Sequence, residues 1–206
     1  MRRCDMGEMV RKESGGAILN HWVLAISCIL LMITGFAFLF HLESVGAVFG
    51  GFETMKTVHN WTGVVFTVAL VLTMVNYLGD SLRYDADDVQ WFKVAGGYLS
   101  HKVKVPPMGK HNPGQKLYYL GIVIFGIAIA LSGFGIWLMK DNPTIMLLSH
   151  LVHNVAFIFF CIMVPVHIYL STLANPGTFQ IMVSGMVPLE LAKKRYPKWM
   201  KAAGKM

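Results

Sequence analysis

The stretch LLSHLVHNVAFIFFCIMVPVHIYLSTL, residues 147–173, is apolar over a length that can cross a bilayer, yet it contains three histidines. His153 and His167 lie 14 residues apart. On an α-helix this spacing is about 3.9 turns and a rise of about 21 Å, so both imidazoles project from nearly the same face. One helix therefore offers one nitrogen ligand near each membrane surface, provided that other segments supply partners.

The composition of the 206-residue chain is too apolar for an ordinary soluble domain, with 55% hydrophobic and 14% charged residues. Four windows are long enough to span a hydrocarbon core of about 30 Å. The predicted spans are roughly residues 17–40, 57–78, 117–139 and 147–173, with a loop at 79–116 and a tail at 174–206. We therefore predict an all-α membrane protein, a single domain over residues 1–206 built as a four-transmembrane-helix bundle.

Basic residues are concentrated in three polar segments, and the net charge is +7. Lys and Arg occur four times before the first span, six times between the second and third spans, and six times after the fourth. The other two connections hold only Lys56 and Lys140. By the positive-inside rule, both termini and the middle loop are cytoplasmic and the short loops face outward. This explanation is preferred over a nucleic-acid-binding patch, so no nucleic acid partner is expected.

The depth of each histidine in its predicted span suggests two pairs. His59 opens span 2 at the outer side, where His153 also lies, and His21 lies at the inner end of span 1, near the depth of His167. His150 competes with His153 for the outer position. It is 17 residues from His167, about 4.7 turns, which rotates it off the common face. The preferred pairs are His59 with His153 and His21 with His167.

Two imidazoles are too few for a closed zinc site, and the spans contain no carboxylates that could complete one. Axial ligation of haem needs two histidines and an apolar slot, and Gly63, one turn after His59, leaves room beside that ligand. The three cysteines, Cys4, Cys28 and Cys161, form no C-x-x-C-H motif, so a bound haem would be non-covalent and b-type. The alternatives are structural histidines, a small transporter for metal ions or protons, and a haem-free membrane anchor.

Three local features carry further expectations. The run Asn112-Pro113-Gly114-Gln115 before span 3 reads, from its residues alone, as an N-cap and turn, although its amides could serve a ligand. Residues Val89 to Leu99 are amphipathic enough for a surface helix. Pro165 is expected to break span 4 two residues before His167.

Several motifs follow one another in a specific order. They are Asn20-His21-Trp22, His59-x-x-x-Gly63, Lys110-His111-Asn112-Pro113-Gly114-Gln115-Lys116, the His153/His167 spacing, and the tail Ala192-Lys193-Lys194-Arg195-Tyr196-Pro197-Lys198-Trp199. Together they resemble the cytochrome b (gamma) subunit of respiratory formate dehydrogenase, of the formate dehydrogenase-N type, over nearly the whole chain. His111 departs from that pattern, because the related motif usually carries an aromatic residue there.

The resemblance implies a di-haem cytochrome b domain that takes electrons from an iron–sulfur subunit on the outer side and reduces quinone near the cytoplasmic side. His59 and His153 match the outer haem b ligands, and His21 and His167 match the inner ones. The quinone, menaquinone or ubiquinone, would bind near His167. Its pocket matches Asn112, Gly114 and the adjacent Gln115.

The resemblance also implies a location and partners. The chain would be a multi-pass protein of the bacterial inner membrane, in contact with membrane lipid. Its partners would be the iron–sulfur subunit and a molybdenum or tungsten catalytic subunit, in a heterotrimer compatible with a higher multimer. Formate oxidation would belong to those partners, because this chain contains no site for it. Cytochrome b subunits of a nickel–iron hydrogenase or of a thiosulfate or polysulfide reductase are the nearest alternatives.

Overall fold

Four long helices dominate the computed structural model, which describes residues 8–98 and 102–205. They are α1 (Gly15–Leu39), α3 (Phe52–Ser81), α5 (Pro113–Leu138) and α6 (Pro143–Ser171), and each is long and apolar enough to cross a membrane. The shorter helices are α2 (Glu43–Val48), α4 (Ala86–Lys93), α7 (Ile181–Ser184), α8 (Leu189–Arg195) and α9 (Pro197–Ala202), with a 3-10 turn at Ala95–Gly97. The predicted four-helix membrane bundle is confirmed.

Each long helix begins before its predicted apolar window, and in α1, α5 and α6 a side-chain cap stabilises the first turn. At the start of α6, the Asn142 side chain accepts hydrogen bonds from the amides of Thr144 and Ile145, both at 3.1 Å. The prediction that Pro165 breaks this helix is wrong, since α6 is helical through that position. A proline removes one backbone hydrogen bond, and that loss does not require a membrane helix to end.

The surface helix predicted from Val89 to Leu99 is shifted and shorter, because α4 ends at Lys93. Its start is fixed by a capping box in which Asp85 and Asp88 each bind the other's backbone amide, at 3.0 Å. It cannot continue through Gly96, which has a positive φ of 61° and lies against the Trp91 ring, where a Cβ would collide. Leu99 lies outside the described residues.

The core of the bundle takes residues from all four long helices. Buried Cys28, Phe66, Leu70, Ile122 and Phe160 form one cluster, in which the rings of Phe66 and Phe160 meet edge to face at 5.9 Å. Many large apolar side chains elsewhere on these helices remain exposed. An apolar exterior around an apolar core is typical of a helix bundle whose solvent is lipid.

The segment before α1, the long middle loop and the tail after α6 meet on one side of the bundle and form what we call the polar layer (residues 8–14, 82–98, 102–112 and 172–205). Strand β1 (Met9–Arg11) pairs antiparallel with β2 (Met186–Pro188), which joins the segment before α1 to the tail after α6. The Lys198 ammonium binds the carboxylates of Asp85 and Asp87, both at 2.6 Å, and joins the tail to the middle loop. The two-stranded β1–β2 sheet was not predicted from the sequence.

Two buried charges link the polar layer to the third span. The Lys116 ammonium lies 2.8 Å from the Asp88 carboxylate, and both side chains are less than one-tenth exposed. Lys116 also donates to the backbone oxygen of Arg83 at 2.7 Å. Because each charge is compensated only by close partners, removal of one should leave the other uncompensated.

We therefore expect Lys116→Met to lower the free energy of unfolding by about 3–5 kcal/mol, because Asp88 loses its buried counter-charge. Adding Asp88→Asn removes that charge but keeps an oxygen for the Asp85 amide, and should restore most of the loss. Unfolding midpoints of purified protein in detergent check both variants. A double variant no more stable than the single one would contradict the explanation.

Candidate functional site

The structure brings together the two histidines predicted for the outer site. His59 projects from α3 and His153 from α6, with ring centroids 6.4 Å apart and ring planes at 58°. The competing histidine, His150, is exposed. His41, in the connection after α1, is also exposed and adopts a positive φ of 48°. The geometry therefore brings together the pair that the helical spacing favoured, and its role as a ligand pair stays a prediction.

Hydrogen bonds orient both imidazoles of this pair. The hydroxyl of Thr34 lies 2.9 Å from the backbone oxygen of Leu30, to which it donates, so it accepts from Nδ1 of His59 at 2.6 Å. Nδ1 of His153 lies 3.2 Å from the backbone oxygen of Ile129, which can only accept. Both rings thus carry their proton on Nδ1. Each Nε2 keeps a lone pair for a metal.

Ser132 adds a second contact to His153, with its hydroxyl 3.1 Å from Nδ1. The predictions from the sequence gave Thr34 and Ser132 no role. In the structure both are buried, and their hydroxyls contact Nδ1 of His59 and of His153. The sequence marks them only as hydroxyl residues within apolar spans, and it does not show which groups they contact.

The second pair lies at the other end of α6. His21 on α1 and His167 on α6 have ring centroids 6.2 Å apart, with ring planes at 60°. The Tyr118 ring stacks on His167 at 4.7 Å and 7°, and the Trp22 ring meets His21 edge-on at 5.7 Å. These aromatic contacts restrict both imidazoles, so the inner pair is held mainly by ring packing.

The two histidine pairs join helices that make few direct contacts with each other. α6 packs closely along α5, and α1 along α3, whereas α6 approaches α1 over only a short stretch. Both histidine pairs join α6 to α1 or α3, across this wider separation. Beside the outer pair, a Cβ built on Gly63 would meet no neighbouring group within 4 Å. A flat group could therefore enter next to His59.

The two pairs fit the dimensions of a bis-imidazole metal. Two imidazoles on opposite sides of one ion, with bonds of about 2 Å as at zinc–imidazole sites, have ring centroids about 6.4 Å apart. Among residues 8–98 and 102–205, no group of three or more His, Cys, Asp or Glu side chains could hold a metal ion. The donor sets thus suit a metal that brings its own equatorial ligands, as haem does.

A family model described as prokaryotic cytochrome b561 matches residues 14–185 of the chain. The chain belongs to the prokaryotic cytochrome b561 family. It is therefore a haem-b-binding protein of electron transport, with four helices that cross a membrane. The match includes all four long helices and the four paired histidines.

Individual relatives agree with this family membership. The chain is 28% identical to the formate dehydrogenase cytochrome b556(fdo) subunit of Escherichia coli (strain K12), over 88% of this chain and 87% of that protein. It is 26% identical to the nitrate-inducible formate dehydrogenase cytochrome b556(Fdn) subunit of the same strain, over 87% and 84%. The formate dehydrogenase cytochrome b556 subunit of Haemophilus influenzae is 24% identical, over 89% and 79%.

The run before α5 forms the N-cap that its residues favoured. Asn112 Oδ1 accepts from the Gln115 amide at 2.8 Å, and Gln115 Oε1 accepts from the Asn112 amide at 3.0 Å. Gly114 lies against Trp91, and a Cβ there would be 2.8 Å from the indole ring. The predicted quinone pocket is thus a rigid helix start, and its binding role stays a prediction. Of the remaining predicted features, Cys4 and His101 lie outside the described residues.

Gly63→Leu should prevent occupation of the slot beside His59 without disturbing the bundle, because no neighbour lies within 4 Å of the added Cβ. If each histidine pair holds one haem, the haem content should fall by about half at an almost unchanged unfolding midpoint. Gly79→Leu is the matched control, since Gly79 is on the same helix and equally open. Full haem content in the Gly63 variant would show that the slot lies elsewhere.

Proposed function

We propose that this chain is the membrane-anchoring di-haem cytochrome b subunit of a formate dehydrogenase complex, of the formate dehydrogenase-N type. In this role it passes electrons from a periplasmic iron–sulfur subunit across the membrane to quinone near the cytoplasmic side. The proposal rests on one observation, which is that two pairs of imidazoles lie at opposite ends of one bundle. The relatives described above, all cytochrome subunits of formate dehydrogenases, support the choice of complex.

The residues of the chain would hold two haems b, one at each end. His59 and His153 would be the axial ligands at the outer end, and His21 and His167 those at the inner end. When bound, haem iron supplies one-electron redox chemistry. Thr34 and Ser132 fix the outer imidazoles with Nε2 available, and the apolar core around Phe66 and Phe160 excludes water between the two sites.

The charge distribution supports the proposed orientation in the membrane. The polar layer contains most of the basic residues, and cytoplasmic segments next to membrane spans are enriched in Lys and Arg. The outer pair would then face the side from which electrons arrive. Because the partners would contribute the iron–sulfur and the molybdenum or tungsten centres, this chain acts as the electron-transfer part of the enzyme in the bacterial inner membrane.

The proposed quinone pocket lies at the inner end, around Asn112, Gly114 and Gln115. Tyr118, which stacks on His167, follows Asn112 by six residues on the same helix, a rise of about 9 Å. A quinone ring at the start of α5 would therefore be close to the inner pair. The ring of either menaquinone or ubiquinone is compatible with this position.

Replacement of single histidines tests the haem assignment. His153→Ala and His167→Ala should each remove one of two haems, so the b-type bands in reduced-minus-oxidised spectra should fall by about half. His150→Ala and His41→Ala are the matched controls and should keep both haems, because those side chains are exposed. Unchanged haem content in the first two variants, or an absence of b-type bands in the wild type, would rule out the proposal.

Co-purification tests the assignment to formate dehydrogenase. An affinity-tagged chain, solubilised in mild detergent, should retain iron–sulfur and molybdenum or tungsten subunits, and formate should reduce its haem. Recovery of a nickel–iron hydrogenase or a thiosulfate reductase instead would assign the chain to that complex, and the haem assignment would be unchanged.

A further inference from the structure

One buried carboxylate at the inner end of the bundle has no role in holding haem. Glu13, directly before α1, is only 4% exposed. It accepts hydrogen bonds from the Tyr77 hydroxyl at 3.0 Å and from the Lys110 ammonium at 3.1 Å. The backbone amides of Lys12 and Glu13 both donate to Gly185 O, which fixes this segment against the tail. Burial of a carboxylate costs free energy. A function is therefore expected for a buried carboxylate that several hydrogen bonds hold in place.

His111 connects Glu13 to the surface. Its Nε2 lies 3.8 Å from Glu13 Oε1, and its Nδ1 lies 2.5 Å from Asp80 Oδ2. The Asp80 side chain is nearly half exposed, whereas that of His111 is mostly covered. The three side chains therefore form a line from solvent through an imidazole to a buried carboxylate. The imidazole has one nitrogen directed at each end.

We propose that Asp80, His111 and Glu13 form a proton-uptake relay for quinone reduction at the inner end of the bundle. This inference rests on the proposed function, since it supplies protons to the same quinone site. His111 directly precedes Asn112 of the proposed pocket. Glu13 lies two residues before α1, and His21 lies six residues into that helix, a rise of about 9 Å. The relay thus runs from the surface toward the start of α5 and the inner pair.

Each proton moves without oxidation or reduction of the relay residues. The Asp80 carboxylate takes a proton from water and passes it to Nδ1 of an imidazole that carries its own proton on Nε2. The resulting imidazolium releases the Nε2 proton to Glu13, across a gap that one water or a small rotation closes. Exchange between the two neutral tautomers then resets His111. Glu13 then gives its proton to a quinone oxygen and returns to the carboxylate. Two such transfers, together with two electrons, convert the two quinone carbonyl oxygens into hydroxyls.

The charged groups around His111 suit a residue that carries a proton only transiently. Burial lowers the pKa of its imidazole, whereas the hydrogen bond with Asp80 and the charge of Glu13 oppose that shift and Lys12 adds to it. Burial also lowers the pKa of Lys12 to about 7. The Lys110 ammonium lies 3.0 Å from Glu13 Oε1. Tyr77 completes the set, with its ring 5.5 Å from that of His111.

The test uses the purified complex with its partner subunits and a short-chain menaquinone analogue. Formate-driven quinone reduction is measured from pH 6 to pH 9 in the wild type, Glu13→Gln and His111→Gln. Both variants should lose about tenfold in rate at pH 8, and their rates should fall about tenfold per pH unit, because uptake then depends on free protons. Glu190→Gln is the control and should match the wild type, because Glu190 is a largely exposed carboxylate of the same polar layer, paired only with Lys193 at the surface.

Rescue separates a relay from a structural contact. Added imidazole should restore quinone reduction in His111→Gly, and reduction of haem by formate should be unchanged in every variant. Variants as fast as the wild type at pH 8 would overturn the relay, as would a loss that is equal at all pH values and is not rescued. If formate reduces haem in the wild type but no quinone is reduced, the proposed quinone site itself fails and the relay fails with it.

Discussion

A polar imidazole inside an apolar bundle is costly unless another group satisfies it, and four imidazoles of this chain are paired inside the bundle. Their pairing requires α6 to stand away from α1 and α3 at both ends of the bundle. The close packing of α1 against α3, and of α5 against α6, compensates for the contacts that α6 does not make with α1 and α3. Phe160 lies seven residues from each α6 histidine, so the core separates the two sites at mid-depth.

The polar layer keeps charge out of the spans. Its ion pairs join segments that are far apart in sequence: Lys198 with Asp85 and Asp87, and Lys110 with Glu13. The β1–β2 pairing adds a third connection. Since these contacts satisfy the charges locally, most side chains of the helices below them are apolar. The same layer holds the ends of α1, α3 and α5 in register, which determines the depth of the inner pair.

Much of the fold could be predicted from the sequence, because the signals for it either repeat along a helix or add up over a long apolar window. Apolar windows marked the four spans, and the 14-residue spacing of His153 and His167 put both rings on one face. Thr34 and Ser132 could not be assigned, because their partners depend on how each helix is rotated. The three-residue strands β1 and β2 carry no pattern of their own, and their pairing depends on segments more than 170 residues apart. Glu13 was overlooked for the same reason.

The two ends of the bundle are chemically unequal, and this inequality bears on the direction of function. At the outer end, the imidazoles are held by hydroxyls and a backbone carbonyl, none of which exchanges charge with the surface. At the inner end, the aromatic-packed pair lies below Glu13, His111 and Asp80, which connect a buried carboxylate to solvent. An end that only passes electrons needs no titratable groups, whereas an end that reduces quinone must also bind protons. The asymmetry of the polar groups therefore favours quinone chemistry at the inner end.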